Sequence, residues 1–95
     1  MFRKLPHGII ESDKGFSVRV LGRAGLEYKE GKKALFVDSE SLADSAVGLV
    51  VFTSSIKRWK NAKKNLFPNE RRRIIDNIKQ AFKFEGYEIE ISRTK

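Results

Sequence analysis

One stripe of apolar residues constrains this chain more than any other feature. Ile74, Ile75, Ile78, Ala81 and Phe82 recur at the spacing of one helix face. Almost everywhere else the apolar residues alternate with polar ones, the period of a half-buried strand. A chain with several strands and one helix must cover the helix stripe with a sheet. The expected fold is therefore α+β: an antiparallel β-sheet of about five or six strands, with one long C-terminal amphipathic helix packed on one face.

The elements are read as follows. Residues 8–13 and 16–21 form a hairpin, with Asp13-Lys14-Gly15 as the turn and Phe16, Val18 and Val20 on the core face. Residues 25–30 and 33–38 form a second hairpin around Glu30-Gly31-Lys32, and Leu35-Phe36-Val37 reads as a buried run. Residues 39–46 read as a loop, with a single helical turn as the other choice. Val47-Gly48-Leu49-Val50-Val51-Phe52 is a central strand that could extend into Ser54-Ser55-Ile56. Pro68 fits just before or within the first turn of the helix, Asn69 is the expected N-cap, and Gly86 suits the position just past its end. Tyr87-Glu88-Ile89-Glu90-Ile91 alternates and returns as an edge strand. The 95 residues fit a single domain, 1–95.

Composition narrows the function. There is no cysteine and one histidine. Disulfide scaffolds and Cys-based zinc sites are excluded, and nucleophilic or metal-assisted catalysis loses most of its usual side chains. No cofactor is expected, and the chain reads as not an enzyme. His7, between Pro6 and Gly8, is expected to be an exposed terminal residue. Asp38, Glu40 and Asp44 share a loop but lack the glycine and the closing glutamate of a calcium loop. Residues 1–8 lack the apolar core of a signal peptide, and the longest apolar run is too short to cross a bilayer, so a cytoplasmic location is expected.

The formal net charge is +8, and residues 54–73 carry eight Lys or Arg against one acid, a net of +7. The cations are Lys57, Arg58, Lys60, Lys63, Lys64, Arg71, Arg72 and Arg73. Such a concentration attracts anionic partners; the plainer alternative is a solvated surface. Trp59, the sole tryptophan, lies among these cations. It is either a partner contact or a core residue that closes the sheet, and the core reading weighs more. Phe16, Tyr28 and Phe36 are expected in the core, not on a stacking platform.

Gly48-Leu49-Val50-Val51-Phe52-Thr53-Ser54-Ser55-Ile56-Lys57-Arg58-Trp59 resembles the strand and "S-I-x-x-W" signature of a family of small bacterial immunity proteins, the one numbered seventy-four among polymorphic-toxin immunity proteins. Arg72-Arg73-Ile74-Ile75-Asp76-Asn77-Ile78-Lys79-Gln80-Ala81-Phe82 looks like its helix, and Gly86-Tyr87-Glu88-Ile89-Glu90-Ile91 like its closing strand. The resemblance implies a non-enzymatic protein that neutralises a cognate toxin by stoichiometric binding. In that family the tryptophan is commonly followed by acids and prolines, whereas here it is followed by Lys60-Asn61-Ala62-Lys63-Lys64. The partner surface is taken to be Lys57, Arg58, Trp59, Lys60, Lys63, Lys64, Arg71, Arg72 and Arg73. Two other readings stand beside it. One is a single-stranded DNA or RNA binding module that uses the same basic loop. The other is a homodimer joined through an exposed sheet edge.

Overall fold

The computed structural model describes residues 1–21, 25–41 and 47–93. Five strands form an antiparallel meander: β1 (Phe2–Leu5), β2 (Ile9–Ser12), β3 (Phe16–Val20), β4 (Leu26–Glu30) and β5 (Lys33–Val37). A second sheet has the order β6 (Ser39–Ser41), β7 (Val47–Phe52), β8 (Glu88–Ser92), and the helix α1 spans Pro68–Phe84. The architecture is α+β, as the sequence implied.

The alternation sets which side of the meander is dry. Ile10 faces Val18, Val18 faces Tyr28, and Tyr28 faces Leu35 across adjacent strands. All four are buried, and this cross-strand row is the floor of the core. The helix lays Ile74, Ile78, Ala81 and Phe82 on it, with Ile75 partly buried beside them. Leu49 and Val51 of β7, with Ile89 and Ile91 of β8, belong to the same cluster. Glu88 and Glu90 point to the exposed side of β8.

The two hairpins fall where the turn residues placed them, with Gly15 at φ 94° and Gly31 at φ 57°. Several features depart from the sequence reading. β7 and β8 pair in parallel, because the chain between them crosses over through α1. β1 was not anticipated. It pairs with β2 through the short turn Pro6–Gly8, which holds the exposed His7 at φ 67°. Residues 39–41 form β6 instead of a loop, while residues 42–46, Asp44 among them, lie outside the described residues. β7 does not run on into Ser54: Thr53–Ser55 is a single 3₁₀ turn, and Ser55 Oγ donates to Phe52 O at 2.6 Å. Asn69 is not the N-cap. Pro68 is the first helical residue, and Glu70 accepts a hydrogen bond from Phe67 N at 3.1 Å, tying down the entry to the helix. Val20 is partly exposed, and Phe36 is half exposed on the outer face of β5 because its neighbours Leu35 and Val37 take the inner one.

Two outcomes test this packing. Gly25 has φ +136°, and a Cβ there would lie 2.5 Å from Val37 O and 2.8 Å from the Phe36 ring. Gly25→Ala is expected to lower the unfolding free energy by more than ~2 kcal/mol in urea titrations. Gly31→Ala, with open space around it, is expected to lose only about 1 kcal/mol. The second outcome concerns pH. Burial, and next the hydrogen bond to Glu30, raise the Tyr28 pKa above its ordinary value of 10.0. Above pH 10 the unfolded chain then releases that proton before the folded chain does, so stability should fall as pH rises past 10. Tyr28→Phe should remove that part of the fall in unfolding free energy.

Candidate partner-binding loop

Residues 57–66 leave the 3₁₀ turn and return to the start of α1. Leu66 N donates to Lys57 O at 2.7 Å, so the two ends of the segment meet. Loops closed in this way are packed by their own side chains. Here Ile56, Trp59 and Leu66 are buried and Ala62 packs partly against them. Lys57, Arg58, Lys60, Lys63 and Lys64 are exposed. Anchors point in and the cations stay in solvent, so the charge density read from the sequence is carried by exposed side chains of one loop.

The loop is also fastened to the meander. Lys60 N donates to Ala34 O at 2.7 Å, which covers part of the free edge of β5. Trp59 is 9% exposed, and its ring stacks on Tyr28 with centroids 6.2 Å apart. Lys33 Nζ lies 5.7 Å from the centre of the same ring. The core reading of Trp59 is the one its burial matches. Phe16 and Tyr28 are buried as well.

The three arginines of the helix start have different surroundings. Arg72 is exposed and has no ion pair among the described residues. Arg73 grips Glu30 with two hydrogen bonds, at 2.9 and 3.2 Å. Glu30 in turn accepts from Tyr28 Oη at 2.5 Å, and Asn77 donates to that same hydroxyl at 2.8 Å. Arg73 therefore helps to fix the helix on the sheet. Arg71 is half-buried, and its Nη2 donates to Thr53 O at 3.0 Å.

The folded chain adds residues that the sequence did not mark as partner contacts. A groove of about 470 Å³ runs beside the loop, walled by Ala34, Phe36 and Trp59 and rimmed by Arg58 and Lys60, with Glu27 at one side. Phe36, 50% exposed, is its apolar feature. The signal was there: strict alternation with Leu35 and Val37 sends Phe36 to the opposite face. A second cleft, of about 340 Å³, lies on the helix side of the loop between Ser54, Lys57, Asn65 and Arg71, over Ile56 and Leu66. Ser54 and Asn65 carry no sequence pattern that marks them.

Among the described residues no group of His, Asp and Glu is arranged to hold a metal ion, and no helix is long and apolar enough to cross a membrane. Neither the curated proteins nor the solved structures yield a match to the chain. The family model described as Immunity protein 74 matches residues 18–92, a span that runs from the middle of β3 to the end of β8 and takes in the loop and the helix. The chain belongs to the Immunity protein 74 family.

Proposed function

We propose that this chain neutralises a cognate toxin domain in the cytoplasm by stoichiometric binding, without catalysis, and that the outward face of residues 57–66 makes the contact. One observation carries the choice of surface. Five cations on a loop closed by its own backbone and anchored by Trp59 lack any ion pair among the described residues. Arg72 extends this face from the helix. Buried Trp59 and half-buried Arg71 support it through the contacts described above, and Arg73, exposed, is taken up by Glu30.

This sign of charge fits a toxin surface rich in carboxylates. Complementary fields speed the encounter and reject partners of the wrong sign. Phe36 in the adjacent groove supplies an apolar anchor of the kind that dominates interface energetics. A nucleic acid would also answer to the charge. The sequence-tolerant mode of single-strand binding, however, stacks bases on exposed aromatic rings. Trp59, Tyr28 and Phe16 are withdrawn into the core, whereas Phe36 and Phe67 are 50% and 69% exposed, so the rings do not separate the two partners and the family match is what favours a protein.

The test is co-expression with the toxin encoded beside this chain. Growth should be restored and a one-to-one complex recovered. Replacing Lys57, Arg58, Lys60, Lys63 and Lys64 with Glu is expected to abolish protection while the thermal midpoint stays within a few degrees, since these side chains are exposed. Raising salt from about 50 to about 500 mM should weaken the wild-type complex at least tenfold. Protection that survives the charge reversal would move the contact elsewhere, and failure to neutralise any neighbouring toxin would end the reading.

A further inference from the structure

The cleft on the helix side of the loop has a chemistry of its own. Its polar lining consists of Ser54, Lys57, Asn65 and Arg71, and no carboxylate lines it. A hydroxyl, an ammonium, an amide and a guanidinium can all donate hydrogen bonds. Its apolar lining, Ile56 and Leu66, is buried, which strengthens any charge-assisted bond formed above it.

Arg71 is the residue left unsettled. Only its Nη2 is hydrogen-bonded among the described residues, to Thr53 O. Its Nε is buried and has no partner. A buried donor without an acceptor is destabilising. The guanidinium also sits in the first turn of α1, at the positive end of the helix dipole, where a cation is disfavoured. The acid of that turn, Glu70, bonds Phe67 N and makes no ion pair with Arg71. Lys57, at the mouth of the cleft, is exposed and unpaired among the described residues. Two cations therefore converge on a donor-lined cleft that lacks a counter-charge.

We propose that this cleft is an oxyanion-binding site and, resting on the toxin-binding reading above, that a carboxylate from an acidic side chain of the toxin occupies it. A carboxylate offers two acceptor oxygens, and the Arg71 guanidinium that lines the cleft keeps N–H donors beyond the one given to Thr53 O. Arg71 is held at one end by Thr53 O and so is already placed at the cleft wall. Lys57 closes over the anion from the solvent side. A phosphodiester offers similar oxygens; the carboxylate is named because the partner proposed above is a protein.

The experiment is an NMR titration of the full chain with N-acetyl-aspartate, against sodium chloride at equal ionic strength. Saturable shifts are expected at the amides of Ser54, Lys57 and Asn65 and at the Arg71 Nε–H, and chloride should not reproduce them. Arg71→Lys and Lys57→Gln should each weaken binding by roughly tenfold, the loss of one charged hydrogen bond. Lys57 is exposed, so Lys57→Gln keeps the result readable even where substitution of Arg71 disturbs the fold. Shifts that grow linearly and match those with chloride would overturn the site. A short oligothymidylate that binds the cleft more tightly than hexaglutamate would overturn the carboxylate as occupant. Capture of the toxin by Lys57→Gln at unchanged affinity would remove the cleft from the interface and leave the neutralising function standing. Saturable N-acetyl-aspartate binding by a chain that captures no toxin would keep the oxyanion site and discard the toxin as its source.

Discussion

Tyr28 is the side chain on which the parts of this protein meet. It is fully buried at the middle of β4 and faces Val18 and Leu35 on the neighbouring strands. Its ring stacks on Phe16 at 5.8 Å and on Trp59 at 6.2 Å. Its hydroxyl donates to Glu30 and accepts from Asn77. Sheet, loop and helix thus share one residue. A buried hydroxyl has to be paired, and one of its partners is on α1. Turning the helix about its axis would break that pair as well as lift Ile74 and Ile78 off the sheet. The apolar stripe makes the helix lie down, and the Tyr28–Asn77 and Glu30–Arg73 contacts choose its rotation.

This arrangement also explains why a loop can serve as a recognition surface. Ordering loop side chains on binding costs about 0.5–1.5 kcal/mol each. Here the backbone is ordered beforehand. Trp59 is set against the Tyr28 ring, Lys60 N is bonded to β5, and Leu66 N closes the loop onto Lys57 O. The remaining freedom lies in the long cationic side chains themselves. Burial of the tryptophan is what places the cations beside it.

The strands with strict alternation were legible, because one residue of slip would send a whole apolar set into water. The helix was legible for the same reason at a different period. The direction of β8 was not read correctly. An alternating pentapeptide says which face is dry and nothing about which neighbour it pairs with, although strand, helix, strand in succession favours a parallel return. Phe36 was misread because three adjacent apolar residues suggested burial on both faces, whereas the outer face of β5 is open. At the candidate site the sequence shows that Arg71, Arg72 and Arg73 are adjacent. It does not show that successive residues turn by about 100° around a helix, which sends Arg71 towards Thr53, Arg72 to solvent and Arg73 to Glu30. That divergence becomes readable only once Pro68 is fixed as the first helical residue.

Charge and packing divide the work of such a surface differently. Exposed cations act at a distance, so they govern how fast a partner arrives and how strongly salt interferes. They contribute little to how long it stays, because charges that remain in water after docking interact weakly. Residence depends on groups that lose water on contact. On this loop those groups flank the cations, with Phe36 in the groove on one side and Arg71 in the cleft on the other. A partner drawn in by the central charges can engage both flanks only if it presents an apolar residue to one and an acid to the other. In the proposed interface, discrimination among acidic partners therefore falls to the two flanks and not to the charge run that dominates the sequence.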